Sequence, residues 1–171
     1  GSGQTEYNIN FPEDTECDIL IVGGGGGGGS DNGAGGGAGG LVFLKNLIVN
    51  GNLTIKVGNG GYGTHAQQQL PENGNNSEIF NNTYNFVAKG GGYGANGHSS
   101  LFNGSDGGCG GGSAGEADPD LAGESTQNSY ITDNGIIRGF GNSGGTGATG
   151  GAGGGGGVGE IGQSTTNNYG A

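Results

Sequence analysis

Glycine occupies every third position without exception from Gly141 to Gly162. Shorter stretches keep the same spacing at Gly33, Gly36 and Gly39, at Gly91, Gly94 and Gly97, and at Gly104, Gly107 and Gly110. A three-residue period is that of the left-handed polyproline II helix. Collagen has this period but needs abundant proline, and this chain has three prolines, none in a tract. The remaining structure is the polyglycine II helix. It has no internal hydrogen bonds, so each N–H and C=O must pair with a neighbouring segment. Side chains would block that approach, which is why most positions must be glycine.

The spacing predicts a bundle of tracts at 23–29, 33–40, 58–63, 90–97, 104–115, 139–149 and 150–160. With 50 glycines in 171 residues and about 1 kcal/mol lost per glycine in a helix interior, no α-helix is expected. Leu, Ile, Val and Phe total 30 and the formal net charge is −11, a balance also found in disordered chains. The apolar residues are patterned, however, and this argues for a fold. Tyr7, Ile9 and Phe11 alternate with polar residues, and Cys17 to Val22 is an apolar, β-branched run broken by Asp18. Leu41–Val49 and Leu53–Val57 flank Asn50-Gly51, a strong hairpin signal. Ser77–Phe80 and Thr83–Ala88 flank Asn81-Asn82, and Tyr130-Ile131 and Ile136-Ile137 flank Asp133-Asn134-Gly135. The expected architecture is irregular and all-β: a polyglycine II bundle flanked by short antiparallel β-hairpins. Ile19, Ile21, Leu53, Ile55, Val57, Ile79, Phe86 and Val87 should form its core. Residues 1–6 read as a tag or linker, 7–162 as one domain, and 163–171 as a flexible tail.

The order of strand, Gly23–Gly29, a second tract, and a run ending Thr54-Ile55-Lys56-Val57-Gly58-Asn59-Gly60-Gly61 resembles glycine-rich domains of viral and phage surface or tail-fibre proteins. Ser77–Ala88 followed by Lys89-Gly90-Gly91-Gly92 extends the likeness, which runs from Tyr7 to Ile161. In phage adhesins of that type a polyglycine II bundle sits at the fibre tip and its loops contact the host receptor. Springtail-type antifreeze proteins share the bundle without apolar hairpins. The glycine-rich region of the anaplastic lymphoma kinase ectodomain combines such helices with β-structure.

Several chemistries find little support. Asp18-Ile19-Leu20-Ile21-Val22-Gly23-Gly24-Gly25 imitates a dinucleotide-binding strand and phosphate loop, which needs a helix behind its glycines; Gly26–Gly40 cannot supply one. Four basic residues make no nucleic-acid face, and no apolar run approaches the ~20 residues of a membrane-spanning helix. His65 and His98 have no metal-ligand spacing to another His or Cys. Glu116, Asp118, Asp120 and Glu124 lack the EF-hand order and read as a solvated loop. Asp14, Glu16 and Asp18 read as edge protection. No cofactor, metal or catalytic activity is expected. Cys17 and Cys109 are the only cysteines, and a disulfide between them is left open. The sequons at Asn52, Asn75, Asn81 and Asn103 are too close to the number chance supplies to be informative.

Recognition is expected in loops outside the period, because loops on a rigid scaffold carry function. The candidates are Gln67, Gln68, Gln69, His98, Leu101, Phe102 and Tyr130, although Phe102 and Tyr130 equally suit capping of the bundle. The leading expectation is a virion-surface or extracellular adhesin, joined to the rest of a viral fibre or virion surface, whose loops bind a host receptor, either protein or glycan. A self-assembling fibre subunit is the alternative. An ice-binding protein is a further one, with only Thr146, Thr149 and Ala152 aligned for it.

Overall fold

The computed structural model describes residues 4–65, 70–97, 102–115, 121–132 and 135–166. Among these there is no helix. The strands are β1 (Gln4–Val22), β2 (Leu41–Gly58), β3 (Ser77–Phe80), β4 (Asn85–Ala88), β5 (Tyr130–Thr132), β6 (Gly135–Ile137) and β7 (Gly139–Phe140). The main sheet is antiparallel in the order β1-β2-β3-β4, with β7 also on β2, and β5 pairs β6 separately.

The hairpins expected around 81–82 and 133–135 are present. Asn81 closes the first: its side-chain oxygen accepts the N–H groups of Thr83 and Tyr84 at 2.8 and 3.0 Å, an Asx turn. The hairpin expected at Asn50-Gly51 is not. β2 runs straight through it, paired along its length with β1. Gly51 has φ +72° and faces Phe11, the last pair before a register shift; the next pair is Thr15 with Val49. Pro12, Glu13 and Asp14 are thus the unpaired residues of a bulge in β1, where a missing N–H costs nothing. A second shift lies between Cys17 and Ile19. There Asn46, with φ 53°, donates its backbone N–H to Asp18 and its amide to Glu16, both at 2.8 Å. Positive φ therefore marks bulges in a long ribbon, which the sequence presents as two short strands and a turn.

The ladder passes directly into the glycine tracts. Beyond the pair Val22–Leu41, the N–H of Gly23 donates to Gly40 O at 3.0 Å. Gly26 and Gly29 then donate to Gly37 and Ala34, while Gly24 and Gly27 donate to Asn75 and Glu72. Carbonyls of Gly25 and Gly28 accept from Gly61 and Thr64, and those of Gly24 and Gly27 from Gly91 and Gly94. Every neighbour is met once in three residues, the period of a polyglycine II helix.

The tract at 109–115 is buried throughout and bonds to six segments. These are 35–38, 92–95, 102–105, 142–145, 153–156 and the segment at Gly123. Three successive residues, Cys109 to Gly111, aim their N–H groups at three segments and their carbonyls at three more, so the six neighbours satisfy the backbone of this tract. The expected single tract 104–115 is two: Gly111 and Ala114 donate back to Ser105 and Phe102. Glu72–Asn75 and 121–126, read from sequence as loop, also join the bundle. So does the start of the expected tail, where Gly154 donates to Gln163 O and Thr165 to Thr146 O. At the other end β1 begins at Gln4, within the expected linker.

The apolar core lies under the sheet and comprises Ile21, Val42, Leu44, Leu53, Ile79, Phe86 and Ala88. Ile19 and Ile55 pack partly buried against it, and Val87 is half-buried. Val57 is a correction. It is 47% exposed, because the pairing of β3 with β2 stops at Lys56. A second small cluster, Ala34, Ala95 and Ala114, lies within the bundle. The disulfide is not formed; both cysteines are free thiols. Cys109 is buried, with its S–H directed at Gly39 O, 3.7 Å away. Burial pushes its thiol pKa up, and a backbone hydrogen bond from Asn142 partly opposes that.

Two tyrosines make opposite predictions. Tyr130 closes the outer edge of β4: its hydroxyl accepts the N–H of Val87 at 2.9 Å and donates to Val87 O at 2.7 Å. Tyr84 has a buried hydroxyl with no hydrogen-bond partner among the described residues, and burial first, then the nearby Cys17, raises its pKa. Tyr130→Phe should therefore lower stability by about 1–3 kcal/mol. Tyr84→Phe should be neutral or stabilising, since it removes an unsatisfied group. Urea titrations of the two variants check this; equal losses would overturn the assignment.

Candidate functional site

Paired residues of an antiparallel sheet share a face. Opposite the core, the outer face of β1–β2–β3–β4 carries polar rows: Glu6, Lys56 and Glu78; Asn8, Thr54, Phe80 and Asn85; Asn10 and Asn52. The Asn8 side chain accepts from Thr54 Oγ1 at 2.9 Å, and Asn10 Nδ2 donates to Asn52 Oδ1 at 2.7 Å. These bonds hold the amides in fixed orientations. Where the ribbon passes the β3–β4 turn, the face folds into an open groove of about 540 Å³, within the range of small-ligand sites. Asn50, Gly51, Asn52, Thr54, Phe80, Asn81, Asn82 and Thr83 line it. Lys56 Nζ stands 5.1 Å from the centre of the Phe80 ring, a cation–π distance.

Each Asn amide offers two donors and an acceptor. Asn82 is exposed, and no other described residue bonds to its side chain. Phe80 supplies the apolar contact among them. Such a groove suits a hydroxyl-rich ligand.

The sequence candidates lie elsewhere. Gln67, Gln68, Gln69, His98 and Leu101 fall outside the described residues, as do Glu116, Asp118 and Asp120. Phe102 packs on the alanine cluster, and Tyr130 meets Phe86 edge-on at 5.4 Å while bonding to β4; both serve the scaffold. His65 is exposed. Among the described residues, no three His, Cys, Asp or Glu are placed to hold a metal ion, and no helix is long and apolar enough to cross a membrane. The groove residues were missed because Asn81-Asn82 and Asn50-Gly51 read as turns. The alternating polar positions Asn8, Asn10, Asn52 and Thr54 were the available signal.

A family model described as a glycine-rich domain matches residues 2–171. The chain belongs to the glycine-rich domain family. No curated protein and no solved structure matches it. For this glycine-rich domain the match takes in the sheet, the tracts and the groove as one unit.

Proposed function

We propose that this glycine-rich domain is a non-enzymatic recognition module of a virion or other extracellular surface. Its polyglycine II bundle holds the outer sheet face rigid, and the asparagine-lined groove binds a glycan of a host-surface receptor. The observation that supports this reading is the groove itself: oriented amides on the β1–β2 ribbon, the Phe80 ring, and the unpartnered side chain of Asn82 in the β3–β4 turn. Rigid donors bind with less entropy lost than mobile ones.

The test is binding of labelled protein to a panel of cell surfaces, with and without glycosidase treatment. The triple replacement Asn52→Ala, Asn82→Ala and Thr83→Ala should weaken binding by about tenfold or more, about 1.4 kcal/mol, with the melting temperature nearly unchanged. Unaltered binding by that variant, or binding indifferent to glycosidase, would overturn the assignment.

A further inference from the structure

The sheet treats its two outer edges differently. On β4, Val87 N–H and C=O are met by the Tyr130 hydroxyl, Val87 O also accepts from Gln127 Nε2 at 3.1 Å, and Lys89 N–H donates to Gln127 Oε1 at 2.8 Å. On the opposite side, β1 is the terminal strand over all of Gln4–Val22, and among the described residues it pairs with β2 alone. An edge of that length is a template for another strand. The inner-face row Tyr7, Ile55, Ile79, Phe86 also ends at it unfinished. Tyr7 is 54% and the next inner residue, Ile9, 43% exposed, although Leu53, Ile79 and Phe86 in their rows are buried and Ile55 is partly so. A strand laid beside β1 would complete both the ladder and the apolar row.

Charge selects the occupant. β1 carries Glu6, Glu13, Asp14, Glu16 and Asp18 and no basic residue. A second copy of this chain, at net −11, would set like charges side by side, which disfavours cross-strand pairing. The geometry points to β1 as a docking edge for an extended, lysine- or arginine-bearing segment of a partner protein, added as a new outermost strand beside β1. Backbone hydrogen bonds supply the binding and alternate side chains the selectivity. The bulge at Pro12 divides the edge at 4–11 and 15–22, and the second register shift, between Cys17 and Ile19, interrupts the latter, so 4–11 is the longer regular stretch, long enough for a typical strand.

Amide hydrogen exchange on the full chain tests this with two synthetic peptides of identical alternating Val/Thr pattern. One carries lysine at alternate polar positions and the other glutamate. The lysine peptide should slow exchange within 4–11 or 15–22, with affinity falling about tenfold as salt is raised. The double variant Glu6→Gln, Glu13→Gln should weaken it severalfold at an unchanged melting temperature. Asn8→Pro should abolish protection of 4–11 and leave 15–22 responsive. Equal protection by the glutamate peptide, lysine-peptide binding that leaves β1 unprotected, or no binding overturns the proposal. Protection of β1 that rises with protein concentration alone assigns the edge to a second copy and overturns it too.

Discussion

Gly110→Ala should destabilise the protein by roughly 3 kcal/mol or more, whereas Gly25→Ala should leave it unchanged or stabilise it by about 0.4–1 kcal/mol. A Cβ on Gly110 would lie far inside contact distance of the Gly123 carbonyl. Both groups are buried backbone, Gly110 on the six-neighboured segment and Gly123 on one of its neighbours, so neither can swing aside as a side chain would. Relief requires separating the two segments, which loses hydrogen bonds on both. Gly25 faces outward, and the nearest atom to its added Cβ is Gly37 O at 3.8 Å. Neither glycine has positive φ. Conformational freedom is therefore not why Gly110 must be glycine; close approach is. Alanine at Gly25 costs no strain and reduces the freedom of the unfolded chain. Urea midpoints of the two variants decide it. Equal shifts would mean that the tracts do not pack by backbone contact.

The same distinction explains what the sequence revealed. In a fully surrounded tract all three faces need glycine or a small residue, so Gly107–Gly115 is conspicuous. A tract on the rim needs glycine on fewer faces. Within Glu72-Asn73-Gly74-Asn75, a Cβ on Gly74 would strike Gly24 O, while Glu72, Asn73 and Asn75 are exposed. One glycine in four residues is invisible against polar loop composition, although Glu72 and Asn75 both bond to the 23–29 tract. Gly123 and Gly162 hide two further rim segments in the same way. The strands were legible through their alternation, but their continuity was not. Asn50-Gly51 has the chemistry of a turn and also that of a bulge, and only the partner strand 4–22 decides between them. Tyr130 shows the limit for sites, since an aromatic in a polar stretch suits receptor contact and scaffold capping equally until its hydroxyl is found on β4.

Leu44→Ala should cost about 2–5 kcal/mol, while Phe43→Ala beside it should cost well under half as much. Leu44 is fully buried among Ile21, Val42, Leu53, Ile79 and Phe86. Phe43 faces the other side of the ribbon, opposite Leu20, and both are exposed. The chain has few apolar side chains to draw on, so a cavity at Leu44 removes a large share of the main core among the described residues. The loss should also reach the bundle. β1 and β2 continue into 23–29 and 33–40 through the bond from Gly23 to Gly40, and opening the ladder there frees the first turn of both tracts. Leu44→Ala should therefore lower one shared transition, followed equally by hydrogen exchange in β2 at 41–58 and at 109–115. Earlier exchange in β2, with 109–115 still protected, would show instead that the glycine bundle stands without the sheet.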